Sequence, residues 1–281
     1  MDLVAIGGDR RYAHMVREAI KNGVSAAAFG LERSGLFDVP EIDVDQIGDA
    51  ECVVMPNPFG GQWKMPLSGK NIGLNDILNN INKNATLILF GSGKVPQSIL
   101  DAHEVVFLDE DEILMTELAR QTAEGAIHSV CERAAYELYR CRALIIGYGR
   151  IGKALHRILN GYQASVAVVA RRKSAQCEAA VNSALAMDFS NFEQALALSQ
   201  IIFSTPPERV LDARLVQLIN RNALLVDLSS RPFGVDMDAA EARWLHAWRE
   251  PSLPGRYCPQ SAGRSMLDAV LRVLNEECER L

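Results

Sequence analysis

The run Ala143-Leu144-Ile145-Ile146-Gly147-Tyr148-Gly149-Arg150-Ile151-Gly152-Lys153-Ala154-Leu155 places the spacing G-x-G-x-x-G between an apolar stretch and an amphipathic one. That spacing suits capture of a pyrophosphate. Gly147 permits a tight turn, Gly149 lets the backbone approach the phosphates, and Gly152 lets a helix lie close on its strand. A helix beginning near Arg150 would aim free N–H groups and the positive end of its dipole at the anion, which brings Arg150 and Ile151 into the same candidate site. Glycine spacing alone is a weak signal. Here Ile151, Leu155, Ile158 and Leu159 recur at helical spacing behind an apolar strand, and that is the context the chemistry requires.

The next apolar strand, 165–170, ends in Arg171-Arg172-Lys173-Ser174. An NAD site carries Asp or Glu about 20 residues past the glycines, to accept from the ribose 2′-OH. Guanidinium groups at Arg171 and Arg172 suit a 2′-phosphate, so NADP is favoured over NAD; the competing reading is a pair of solvated surface arginines. Ser204-Thr205-Pro206 ends a later apolar strand and would close over the cofactor, with an ordinary turn as the alternative.

These residues need strands and helices in alternation to position them. Apolar runs at 3–6, 24–29, 51–55, 86–90 and 104–108 read as strands of a first domain. The glycine turn Gly7-Gly8 and a helical pattern through Tyr12, Met15, Val16, Ala19 and Ile20 follow the first of them. A short helix is expected over 76–84, and the tips Asp9-Arg10-Arg11, Asn57 and Ser92 are expected near one sheet edge. Strands at 144–147, 165–170, 184–187, 201–204 and 224–228, and a last near 244–248, with helices at 151–161, 191–199 and 212–219, make a second domain. The implied fold is α/β: two doubly wound parallel-sheet domains, the second a Rossmann dinucleotide-binding domain, joined by two crossover helices. Residues 1–120 form the first domain, completed by a C-terminal helix over 261–279. Residues 121–139 form a connector helix with Thr122 as N-cap and Glu124 in its first turn, and 140–258 form the Rossmann domain. Asp109 to Glu112 reads as a solvated acidic loop. The two crossings would leave a hinged cleft between the domains.

Length and composition fit this plan. At 281 residues with 48% hydrophobic content, the chain can bury two ordinary cores. A net charge of −6 and the lack of a basic run argue against a nucleic-acid partner. Six cysteines without C-x-x-C or a neighbouring His at ligand spacing fit a reduced, cytoplasmic protein with no metal site. No apolar run reaches the ~20 residues that span a bilayer, so no membrane role is expected. A homo-oligomer remains compatible with all of this.

The ordered set of motifs resembles the dipicolinate synthase A-chain family over nearly the whole length. It comprises Ile6-Gly7-Gly8-Asp9-Arg10-Arg11, Thr122-Ala123-Glu124-Gly125 and the glycine turn. Asp227-Leu228-Ser229-Ser230-Arg231-Pro232 follows with Gly234 and Asp236, then Leu253-Pro254-Gly255 with Pro259 and Ala262-Gly263. The Ser-Arg-Pro-x-Gly-x-Asp stretch followed by Leu-Pro-Gly is the selective part. Phe233 stands where the family carries Gly, Gln260 where it carries Lys, and Cys258 where it carries Ala. The resemblance implies NADP- or NAD-dependent oxidation of dihydrodipicolinate to dipicolinate during sporulation, a B chain resembling flavoproteins, and an architecture like that of 2-hydroxy-acid dehydrogenases.

A dicarboxylate substrate needs positive or N–H donors at both ends, and Arg is the best bidentate clamp. The candidates are Arg231, Arg10, Arg11 and the helix start at Thr122, with Ser229 and Ser230 adding hydrogen bonds. None of the five histidines (His14, His103, His128, His156, His246) sits at a strand tip beside an orienting partner. Glu124 is the candidate proton acceptor; the competing reading is a first-turn acid complementing a helix dipole, and solvent is the other acceptor. Two further functions stay open: another NADP-dependent oxidoreductase acting on a carboxylate, and a nucleotide-binding regulatory protein without catalysis of its own.

Overall fold

A computed structural model describes residues 1–56, 65–70, 72–91 and 95–278. The expected strand tips Asn57 and Ser92 lie outside the described residues, as does the last residue of the C-terminal helix expected over 261–279. The chain divides into two compact units, Met1–Leu118 with Pro254–Leu281, and Ala119–Leu253.

The first unit holds strands β1 (Leu3–Ile6), β2 (Ala26–Phe29), β3 (Cys52–Val54), β4 (Thr86–Leu89) and β5 (Val105–Phe107). They form one parallel sheet in the order β2-β1-β3-β4-β5. Helices α1 (Arg10–Lys21), α2 (Leu74–Leu78) and α3 (Gln97–Leu100) lie between strands, and α4 (Glu112–Arg133) leads out of the unit. Period-2 alternation divides β1 to β4 between two cores: Leu3 and Ala5 join Met15, Val16, Met266 and Val270, whereas Val4 and Ile6 join Val53, Leu87 and Ile77. Burial on both faces is why these strands read as continuous apolar runs. The strand order is that of a flavodoxin-like sheet, with its reversal between β1 and β3.

The second unit holds β6 (Arg142–Ile146), β7 (Ser165–Val169), β8 (Leu185–Met187), β9 (Ile201–Ser204), β10 (Leu224–Asp227) and β11 (His246–Arg249). Between them run α5 (Arg150–Gly161), α6 (Lys173–Val181), α7 (Glu193–Leu198), α8 (Ala213–Val216) and α9 (Met237–Ala242). The parallel order β11-β10-β9-β6-β7-β8 is the Rossmann arrangement, reversing between β6 and β9. The expected strand near Trp244 begins later, because Trp244 has φ 56° and its ring is exposed in the turn before β11.

The connector helix differs from expectation. Asp111, placed in a solvated loop by sequence, caps α4: its Oδ1 accepts from the N–H of Leu114 at 2.8 Å. Helix α4 therefore starts before Thr122, which lies in its interior, so Thr122 offers no free helix-start N–H groups and Glu124 sits in no first turn. Burial works against ionisation of Asp111, but that N–H and the Arg272 guanidinium, at 2.6 Å, hold its carboxyl below the ordinary range. Past Leu118 the helix belongs to the second unit. There Ser129 donates to the buried Glu250 and accepts from the Trp248 indole at 3.0 Å. The chain re-enters the first unit at Pro254, in α10 (Leu253–Tyr257), ahead of α11 (Pro259–Cys278).

Helix α11 lies on α1, with Ala262, Met266 and Val270 fully buried, as their helical spacing predicts. Gly263 makes the approach possible: a Cβ there would lie 2.6 Å from the Arg11 carbonyl oxygen and 2.8 Å from the Met15 nitrogen. Neither backbone atom can yield without shifting a helix. Gly263→Ala is expected to destabilise the protein by about 1–3 kcal/mol, the range for overpacking. Urea unfolding measures it, and an unchanged midpoint would contradict this packing.

Candidate functional site

Parallel strands put all carboxyl ends on one edge, so in the second unit the tips of β6, β7, β9 and β10 share that edge. A cavity of about 590 Å³ opens there, at the point where strand order reverses. Gly147, Tyr148 and Gly149 line it on one side, Arg171 and Arg172 on another, and Thr205, Pro206 and Pro207 on a third. The sequence-predicted cofactor residues are thus largely brought together.

Gly147 and Gly152 take the backbone geometry that their spacing predicts. Gly147 has φ 92°, a backbone that favours glycine, and a side chain there would strike Thr205 and Pro206. A Cβ on Gly152 would collide with the Gly147 carbonyl oxygen, so α5 begins as close to β6 as hydrogen permits. Gly149 differs from both. It caps α5 at φ −88° and has nothing within 4 Å of where a Cβ would be, leaving open space in front of the helix start. Arg150 and Ile151 are the first residues of that helix, so their N–H groups face its N-terminal end. Thr205 locks the far wall: its N–H and its hydroxyl both donate to the Ile146 carbonyl at 3.0 Å.

Two cofactor calls change in detail. Ser204 is fully buried, with its hydroxyl beneath Gly234 and no hydrogen-bond partner among the described residues, so it is not part of the cavity wall. Arg171 is ion-paired to Glu208, which sequence reasoning missed, while Arg172 forms no ion pair among the described residues. Arg172 also caps α6, a helix absent from the expectations because Lys173–Val181 has no apolar stripe beyond Ala175 and Ala179.

The substrate candidates divide more sharply. Ser229 is engaged within its own loop: its hydroxyl donates to Asp227 at 2.6 Å and accepts from the Gly234 N–H at 2.7 Å. Asp227 is buried and also accepts from the N–H groups of Ser229 and Val235. That network holds the loop so that Ser230 and Arg231 stay exposed on the carboxyl edge, with the Arg231 guanidinium 5.7 Å from the Phe233 ring. Arg11 is not a free clamp, because its Nε and Nη2 bond the Asp9 carboxylate at 2.9 and 2.8 Å. Arg10 remains exposed at the carboxyl end of β1. Glu124 lies mid-helix, exposed and paired with Arg120 at 2.9 Å, so the helix-start basis for a catalytic role is gone.

Residues 114–239 match the family model of the D-isomer specific 2-hydroxyacid dehydrogenase NAD binding domain. The second unit therefore carries an NAD-binding Rossmann domain. Across 98% of its length the chain is 22% identical to the A subunit of dipicolinate synthase from Bacillus subtilis (strain 168), covering 96% of that protein. The chain is similar to the dipicolinate synthase A chain over nearly its whole length. The crystal structure of the Bacillus subtilis dipicolinate synthase A chain superposes with a TM-score of 0.85 at 21% identity, over 100% of this chain and 98% of that one. Its counterpart from Bacillus halodurans gives 0.83 at 23%, covering 97% of each chain. A transhydrogenase from Sinorhizobium meliloti gives 0.71 at 12%, over 99% and 95%.

The motifs behind the resemblance to the dipicolinate synthase A chain gain a physical reading in the first unit. Gly255 of Leu253-Pro254-Gly255 rests against the Asp9 carboxylate, and Gly263 of Ala262-Gly263 rests on the Arg11 carbonyl. Gly8-Asp9-Arg10-Arg11 and the two C-terminal motifs are therefore parts of one packed junction. Removing either partner of the part-buried Asp9–Arg11 pair would leave a charge without its hydrogen bonds, a loss of about 1–3 kcal/mol.

A second buried pair stands behind the cavity. The Tyr148 hydroxyl lies 2.8 Å from Nδ1 of His156, whose Nε2 has no partner among the described residues. Burial holds the His156 pKa below 6.5 and pushes the Tyr148 phenol up. Below about pH 6.5 the unfolded chain binds a proton that the folded one excludes, so this contribution is complete above that pH and is lost as pH falls. His14 acts in the same direction, through burial and then Arg10 and Arg17. His156→Gln is expected to flatten the decline of the unfolding midpoint between about pH 6.5 and 5. Identical slopes in the two proteins would refute it.

The glycines supply a sharper test. Gly149→Ala should leave thermal stability unchanged yet weaken nucleotide binding at least about tenfold, because the methyl enters the open space in front of the helix start. Gly152→Ala should lower stability and binding together. Calorimetric titration beside thermal melts separates the two, and full binding by Gly149→Ala would show that the open space is not a phosphate site.

Proposed function

We propose that the chain oxidises dihydrodipicolinate to dipicolinate with a nicotinamide dinucleotide, NADP(H) in preference to NAD(H), as one component of a sporulation enzyme that works with a flavoprotein-like B chain. The observation that carries the reading is similarity to the dipicolinate synthase A chain across both units, joined to an intact glycine turn. A nicotinamide dinucleotide held at that turn would supply the hydride acceptor. The chain's own residues hold and orient. The N-terminal N–H groups of α5 and the approach at Gly149 take the pyrophosphate, and Arg172 meets the 2′-phosphate. Exposed Arg231 in the second unit and exposed Arg10 in the first are each a guanidinium able to bind a carboxylate.

Loss of the hydride and a proton makes the substrate ring aromatic, so orientation is the main demand on the protein. Among the described residues the cavity lining contains no His, Asp or Glu, which favours release of the proton to solvent. The same observation supports a second reading, a nucleotide-binding regulatory protein without turnover of its own.

Arg172→Gln is expected to weaken NADPH binding about tenfold and leave NADH binding unchanged, the effect of losing one charge-assisted contact. Fluorescence titration measures both. Incubation with dihydrodipicolinate and NADP⁺, with and without a flavoprotein-like partner, separates the two readings. Dipicolinate formation supports the enzyme; tight binding without product under either condition supports the regulatory protein.

A further inference from the structure

Glu208 lies outside every motif read from the sequence, yet it is placed to influence which dinucleotide the cavity takes. It follows Thr205-Pro206-Pro207, the wall opposite the strand-tip arginines. The two prolines restrict the backbone there, and the Glu208 carboxylate meets the Arg171 guanidinium from across the cavity rim. The ion pair therefore links the tip of β7 to the loop after β9.

The consequence is electrostatic. Of the two strand-tip guanidinium groups, Arg171 is neutralised and Arg172 is not. Lys173, the next cation, donates to the side chain of Gln176 at 3.3 Å, within its own helix. A 2′-phosphate arriving at this rim meets one uncompensated arginine together with a carboxylate that repels it and holds the second arginine. A ribose 2′-OH carries no charge and encounters no such opposition.

We infer that Glu208 is a specificity-determining residue that restrains Arg171 and so keeps the site open to NAD(H) as well as NADP(H). The inference rests on the dinucleotide reading of the cavity. Both partners are exposed, so the restraint is of modest size.

The test is a binding titration with NADPH and NADH on the wild type, Glu208→Gln, Glu208→Ala and the double variant Arg171→Gln/Glu208→Gln, with thermal melts to confirm folding. Both single variants should tighten NADPH by about 5-fold, the upper range for an exposed ion pair, with NADH unchanged. The double variant should lose that gain. An unaltered NADPH-to-NADH ratio in the folded single variants, or a gain that survives loss of Arg171, overturns the role of Glu208 and leaves the dinucleotide site standing. Failure of the wild type to bind either nucleotide overturns the cavity reading and this inference together.

Discussion

The carboxyl edge of the second sheet depends on how closely α5 can approach the end of β6. That distance is set by a hydrogen atom on Gly152 facing the Gly147 carbonyl oxygen. Any larger group would lift the helix and swing its first N–H groups away from the space in front of Gly149. The Thr205 wall responds to the same geometry, because its N–H and hydroxyl both bond the Ile146 carbonyl at the root of the turn. A displacement of the turn would thus pass directly to the loop carrying Pro206, Pro207 and Glu208. One contact between two backbones governs both walls.

Carboxylates shape the strand tips of each unit. Asp227 ends β10 buried, and the loop after it is organised by what that carboxylate accepts: two N–H groups and the Ser229 hydroxyl. Asp9 does the same after β1, capping α1 through the Arg11 N–H and holding the Arg11 side chain. In both cases a residue that looks like a ligand donor by type, Ser229 or Arg11, is the acid's structural partner. The neighbouring residue, Ser230 or Arg10, is the one left exposed. Buried polar groups must be satisfied before anything else is available for binding, and short loops supply the donors closest to hand.

That rule also explains what was legible in the sequence. The two parallel sheets, the positions of their strands and the glycine turn follow from apolar runs and glycine spacing, which are local and strong. The start of α4 did not, because Asp111 and Thr122 are both acceptable N-caps and only the tertiary pairing of Asp111 with Arg272 distinguishes them. Helix α6 was missed because it buries two alanines and leaves no apolar stripe to detect. Glu208 and the Asp227 network were invisible for another reason. Their meaning comes from partners that are brought close only once the sheet is assembled, Arg171 in one case and Val235 with Arg249 in the other.

Phe233 brings these strands of reasoning together. It occupies a position where the resembling family carries glycine, and its φ of 74° is the left-handed backbone that explains a glycine there. Holding an ordinary residue in that region costs about 1–2 kcal/mol. The ring returns an interaction of similar size, since the Arg249 guanidinium lies 4.1 Å from its centroid and such contacts contribute about 0.5–2 kcal/mol. Arg249 is itself held, 3.7 Å from Asp227 and donating to the Val235 carbonyl at 3.4 Å. The substitution therefore fits because the buried acid that organises the loop also fixes the cation that the aromatic ring needs. The same ring lies beneath Arg231, so this chain presents its exposed arginine over an aromatic face where a glycine would leave it unsupported.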